Sequence, residues 1–132
     1  MKIGMVGLGR MGGNMTERLL TDGHKVVVYD TDSSLVKSSK LKGATPASSL
    51  KNVVAQLVSP RTIWVMVPAG EITEATVAEL IDLLDPGDTI IDGGNSNYKE
   101  SQTRAKKAIS HGIDFLDSGT SGGIWGLTNG YC

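Results

Sequence analysis

Lys2-Ile-Gly-Met-Val-Gly-Leu-Gly-Arg-Met-Gly12, followed after a helical run by Lys25-Val-Val-Val-Tyr-Asp30, is the stretch that decides the fold. Residues 2–6 are short, apolar and followed by glycine, as a strand buried on both faces would be. Gly7, Gly9 and Gly12 then fall in G-x-G-x-x-G spacing. Residues 10–21 carry a helical pattern that Asp22-Gly23 ends. Residues 26–29 read as a second strand, with Asp30 at its carboxyl end.

Each part has a task if the ligand is a dinucleotide. Gly7 permits the tight turn out of the strand, Gly9 lets the backbone approach a pyrophosphate, and Gly12 lets helix and strand pack closely. The helix N-terminus offers N–H groups and partial positive charge to phosphates. Asp30 lies about twenty residues past the glycines, where an acid grips a ribose hydroxyl. Glycine supplies 17 of 132 residues, so the spacing alone carries little. A strand before, a helix after and an acid at the second strand end favour the dinucleotide reading over a plain glycine-rich turn.

The length suits one domain over residues 1–132. A net charge of −1 gives no sign of a nucleic-acid or membrane-binding face, and no apolar run is long enough to span a bilayer. A strand that begins at Lys2 leaves no room for a signal peptide, and the lone Cys132 has no partner for an internal disulfide. The expectation is a cytoplasmic protein.

The rest of the chain continues the alternation. Helices are expected at 33–41, from Ser48 or Ser49 to 57, at 71–84 and at 97–110. Strands are expected at 44–46, 62–67, 89–92 and 113–116. Ile72, Ala75, Leu80, Leu83 and Leu84 mark the apolar face of the third of these helices, and 97–110 reads as a polar surface helix. Residues 117–130 read as a loop rich in glycine and small hydroxyls. This pattern predicts an α/β, Rossmann-type, doubly wound parallel sheet, truncated at the C-terminus because no closing element follows that loop. In such a sheet the loops after the strands share one edge, which would bring 7–12, 30–32, 67–70, 93–96 and 118–123 together.

Those loops carry a more specific likeness. Gly7-Leu-Gly-Arg-Met-Gly-Gly-Asn-Met15, Val65-Met-Val-Pro-Ala-Gly70, Asp92-Gly-Gly-Asn-Ser-Asn-Tyr98 and Ser118-Gly-Thr-Ser-Gly-Gly123 occur in that order. The chain resembles the NAD-binding domain of the 6-phosphogluconate dehydrogenase family, within the β-hydroxyacid dehydrogenase superfamily. The resemblance implies that Gly7, Leu8, Gly9, Arg10, Met11 and Gly12 hold a pyrophosphate, and that Asp30, Thr31 and Asp32 meet the adenosine ribose. It implies that Val67, Pro68 and Ala69 line the path to the nicotinamide, and that Asn95 touches both nicotinamide ribose and substrate. Ser121, Gly122 and Gly123 would hold the substrate's carboxylate end, which suits exposed N–H groups and a hydroxyl.

The implied reaction is oxidative decarboxylation of 6-phosphogluconate to ribulose 5-phosphate. The family's lysine base, asparagine and glutamate acid fall beyond Cys132. No catalytic residue is therefore expected within 1–132, and a chain ending there is expected to bind cofactor without turnover. Lys99, Lys106 and Lys107 read as solvated charges. The full-length enzyme would be a homodimer, and the fragment a monomer. Relatives place Asn-Arg at the second strand end for the 2′-phosphate of NADP; Asp30-Thr31-Asp32 here would repel it, so NAD is expected over NADP. Lys37 and Lys40 are the counter-argument. Another sugar acid as substrate, or a non-catalytic NAD-binding module, are the rival functions.

Other residues have plainer readings. Trp64 is assigned to the core, and Trp125 is left open between packing and a pocket wall. His24 and His111 are expected to be exposed, Met5, Met11, Met15 and Met66 to pack, and no cluster has metal-ligand spacing. Ser118 and Ser121 have no nearby histidine that would make either a nucleophile.

Overall fold

Six short apolar segments form one parallel sheet in the computed structural model, which describes residues 1–132 with the Ile124 side chain excepted. The strands are β1 (Lys2–Val6), β2 (Lys25–Tyr29), β3 (Thr45–Pro46), β4 (Thr62–Val65), β5 (Thr89–Asp92) and β6 (Asp114–Asp117). Their order is β3-β2-β1-β4-β5-β6, and every neighbouring pair is parallel. This is the doubly wound order in which the chain leaves from β1 in opposite directions.

The helices are α1 (Arg10–Thr21), α2 (Ser33–Leu41), α3 (Leu50–Ala55), α4 (Glu71–Leu83), α5 (Tyr98–Ser110) and α6 (Gly126–Asn129). Strand residues alternate between two cores, because successive side chains point to opposite faces. Val27, Ile63, Val65 and Ile90 pack under α3, α4 and α5 with Val53, Val77, Leu80 and Ile81. Ile3, Met5, Val26 and Val28 pack under α1 and α2 with Leu8, Met15 and Ala44. The sequence alternation thus becomes a sheet covered on both sides.

Four expectations are corrected. On α4 the expected Leu80 and the C-cap Leu84 are buried and Leu83 packs partly, but Thr73, Val77 and Ile81 complete the buried face while Ala75 is exposed and Ile72 is left 53% exposed. In the first turn the Thr73 hydroxyl lies inward and donates to the Pro68 carbonyl at 2.8 Å. Helix α5 is not wholly a surface element: Ser101, Arg104 and Ala108 are buried. His24 is half-buried, its Nδ1 lying 3.3 Å from the N-terminal amine. Residues 123–129 are not loop but a 3-10 turn and α6, laid against α1. Arg18 of α1 fixes them by donating to the Leu127 carbonyl at 2.8 Å, and the Tyr131 ring fills a notch left by Gly122 and Gly126.

Other readings stand as local structure. Ser49 and Asn97 cap α3 and α5, each accepting a backbone N–H. Met5 and Met15 are buried, Trp64 and Met66 pack partly into the core, and Trp125 is exposed. No helix among the described residues is long and apolar enough to cross a membrane.

Candidate functional site

The site is built where strands end. Backbone bonds chain the strand exits into one edge: Gly7 N–H donates to Tyr29, Met66 to Val6, Gly93 to Val65 and Ser118 to Asp92. The glycine-rich turn then enters α1, and its three glycines divide the work. Gly7 has φ +91°, and a Cβ there would collide with the Met66 carbonyl. A Cβ on Gly12 would collide with the Gly7 carbonyl. These two glycines are demanded by the fold itself. A Cβ on Gly9 would meet nothing within 4 Å.

Gly9 is the N-cap of α1, supplies no side-chain cap, and is followed by a first turn without an acid. The N–H groups that open a helix are therefore left to solvent or to a ligand. Beside them lies a cavity of about 360 Å³. Gly7, Gly9, Asp30, Thr31, Val67 and Pro68 from the expected set line it. Val6, Tyr29, Leu35, Leu50, Met66, Ile72 and Thr76 complete its wall and were not foreseen. Ile72 was the available signal: an apolar residue at the start of a helix that follows a strand-end loop.

Asp30 serves the turn as well as the cavity. Its carboxylate accepts the Leu8 N–H at 2.7 Å and the Asp32 N–H at 2.8 Å. The acid at the end of β2 therefore fixes the turn that follows β1. Asp32 caps α2: the Ser34 hydroxyl and N–H both donate to it, and they hold its carboxyl below the usual range. Lys37 shares a neighbouring hollow of about 340 Å³ with Asp30, Thr31 and Ser33.

Asn95 and Ser121–Gly123 follow β5 and β6 at this edge but do not line the 360 Å³ cavity. Asn95 is exposed, between Gly94 and Ser96, both of which bond to the Asp92 carboxylate. A Cβ on Gly94 would stand 3.1 Å from the Val67 carbonyl, so the loop at 93–96 abuts the loop at 67–70. The Ser121 N–H is already bonded to the Cys132 carbonyl at 2.8 Å, which leaves its exposed side chain as the open group. Lys99, Lys106 and Lys107 are exposed, and among the described residues no acid, histidine or cysteine group could hold a metal ion.

Sequence reasoning missed a buried ion cluster beneath these loops. Arg104 of α5 is 2% exposed and pairs with Asp92 at 3.4 Å, Glu74 at 2.9 Å and Glu100 at 3.0 Å. Asp92 and Glu74 lie on other elements, so only the i,i+4 spacing of Glu100 and Arg104 was legible.

The open helix terminus, the acid at the end of β2 and the cavity that both line fit a dinucleotide: a Cβ-free opening for phosphates and a carboxylate for a ribose. The comparisons agree. The sequence model of the family described as the NAD binding domain of 6-phosphogluconate dehydrogenase matches residues 2–132. A relative from Bacillus subtilis (strain 168) is 44% identical over 132 residues, covering 100% of this chain and 44% of the relative. The NAD(+)-dependent, decarboxylating 6-phosphogluconate dehydrogenase of Haloferax volcanii is 41% identical over 131 residues, covering 99% of this chain and 43% of the relative. Among solved structures, Plasmodium falciparum 6-phosphogluconate dehydrogenase, described with NADP+ and with 6-phosphogluconate, superposes with a TM-score of 0.89 at 27% identity. That match covers 99% of this chain and 29% of the other. The chain thus spans less than half the length of these relatives.

Proposed function

The chain belongs to the family of the NAD-binding domain of 6-phosphogluconate dehydrogenase, and from that premise we propose that it holds the nicotinamide dinucleotide of a decarboxylating 6-phosphogluconate dehydrogenase. The observation that carries the reading is Gly9: a glycine with open space where a side chain would stand, at an uncapped helix terminus, lining a cavity with Asp30. The N–H groups of Arg10, Met11 and Gly12 point the helix dipole at the pyrophosphate. The carboxylate of Asp30 accepts from a ribose hydroxyl, with Thr31 and Asp32 alongside. Leu35, Leu50 and Ile72 give a flat base an apolar wall.

Held there, a nicotinamide would supply the hydride acceptor for the carbon that bears the substrate's 3-hydroxyl. The residues of this chain orient that exchange. Val67, Pro68 and Ala69 form the floor towards the reacting ring. Asn95, which can donate and accept at once, bridges the nicotinamide ribose and substrate. The Ser121 hydroxyl, with Gly122 and Gly123, holds the carboxylate end. We assign no base or acid of the reaction to residues 1–132, which are expected to bind the cofactor without turnover when assayed alone.

NAD is favoured over NADP. A 2′-phosphate about 4 Å from Asp30 would be repelled by roughly 4 kcal/mol at an effective dielectric near 20, and by less when wet. Lys37, on the wall beside Asp30, offsets part of this. The expected result is that NADH binds about tenfold or more tighter than NADPH, a gap of roughly 1.4 kcal/mol. Asp30→Asn keeps an acceptor for the Leu8 N–H and is expected to close most of that gap. Fluorescence titration of both nucleotides against both proteins checks it, and equal affinities in the parent would sink the cofactor assignment. Failure of the parent to bind either would sink the function.

A further inference from the structure

We infer that Arg104 is a positioning residue for the nicotinamide half of the site, acting through Asp92 on the loop that carries Asn95. The inference rests on the cofactor-holding function proposed above. Asp92 is fully buried at the end of β5. One carboxylate oxygen accepts the Gly94 N–H at 3.1 Å, and the other accepts the Ser96 hydroxyl at 2.8 Å. Asn95 is thus held from both sides by one side chain. Arg104 neutralises that carboxylate from below and carries the tie onward through its Nε to Glu74 of α4.

Glu74 is not an arbitrary anchor. Its neighbour Thr73 donates to the Pro68 carbonyl, inside the loop that forms the cavity floor. Adjacent residues of α4 therefore hold the two loops: Thr73 the one at 67–70, and Glu74, through Arg104 and Asp92, the one at 93–96. The loops also touch: a Cβ on Gly94 would stand 3.1 Å from the Val67 carbonyl. A Cβ on Gly93 would collide with the Trp64 indole nitrogen and lie 2.6 Å from the Met66 sulfur, so the second loop packs on the side chains at the end of β4. Arg104 suits the task because a guanidinium fork meets three carboxylates in fixed directions, which an ammonium does not. Glu100, one helical turn before Arg104, completes the set at 3.0 Å.

The test is a titration of Arg104→Met, Arg104→Lys and Glu74→Gln with NADH and with ADP, alongside thermal melts. ADP reports only the phosphate and adenosine half. Arg104→Met is expected to weaken NADH about tenfold and ADP less than about twofold, and Arg104→Lys to recover part of the difference. Glu74 is half exposed, so Glu74→Gln folds whether or not the Arg104 variants do. It is expected to weaken NADH about threefold and leave ADP unchanged. Equal losses for both ligands, or no loss of NADH in Glu74→Gln, overturn the inference while leaving the function in place. A parent chain that binds neither ligand overturns both.

Discussion

Gly9→Asp is expected to leave the chain as stable as the parent, or slightly more so, and to weaken NADH binding by a hundredfold or more. The two effects have opposite signs because the position serves the ligand and not the fold. Gly9 has a negative φ of −57°, outside the left-handed region that favours glycine, and a Cβ there meets no atom within 4 Å. Aspartate is a favoured N-cap, gaining a few tenths of a kcal/mol over glycine, and its charge complements the helix dipole. The same charge would stand among the N–H groups meant for a pyrophosphate. At about 4 Å and an effective dielectric near 20, each unit of like charge costs roughly 4 kcal/mol. Gly12→Ala makes the contrast. In a free helix alanine gains about 1 kcal/mol over glycine. Here its Cβ would collide with the Gly7 carbonyl, and a loss of about 2–3 kcal/mol is expected instead. Thermal melts and NADH titrations on the two variants decide the matter. If Gly9→Asp binds NADH as the parent does, the phosphates do not lie at this helix end and the proposed function falls with them.

The roles of the three glycines were legible: the spacing gave the tight turn to Gly7, the open approach to Gly9 and the close packing to Gly12, and the space around each agrees. What the sequence did not show is that Met66, just past the end of β4, supplies the atoms that crowd Gly7. The six strands were legible because strands of a parallel sheet are buried on both faces and read as short apolar runs between turn residues. Their parallel direction followed from the alternation with helices, and the order they take is one of the doubly wound orders. The inward residues in the first half of α4 were not legible, since Ile72 and Ala75 compete with Val77 and Ile81 as apolar markers and the buried residue of the first turn is Thr73, bonded to the Pro68 carbonyl. The α6 segment was hidden by its glycines; tertiary partners, Arg18 and the Tyr131 ring, hold it against α1. Arg104 was hidden for the same reason, as its role lies in Asp92 and Glu74 on other elements.

Asp88→Asn is expected to cost about 3 kcal/mol of stability at pH 7 without changing NADH affinity where both proteins are folded. Asp88 is fully buried just before β5, at the amino edge of the sheet, opposite the site. Its carboxylate accepts the Arg61 N–H at 2.6 Å, the Ser59 hydroxyl at 3.1 Å, the Arg61 guanidinium at 2.8 Å and the Asp85 N–H at 3.0 Å. It thereby fastens the entry of β4 to the turn that feeds β5. Burial pushes the Asp88 carboxyl up, but the bonds from Arg61, Asp85 and Ser59 outweigh burial and leave it below its ordinary value. A carboxyl depressed in the folded state binds fewer protons there than in the unfolded chain, so its contribution is complete above about pH 4 and is lost as pH falls further. Asparagine keeps one acceptor but neither the charge nor the second carboxylate oxygen, so Asp85 and Arg61 lose partners at every pH. Urea unfolding of parent and variant at pH 7 and pH 3 is the check, and the stability gap is expected to narrow at the lower pH. A gap that stays constant would mean that shape, not charge, holds this edge. A fall in NADH affinity matching the fall in stability would mean that the two edges of the sheet are not independent, and that the loops at 67–70 and 93–96 take their geometry from the far ends of β4 and β5.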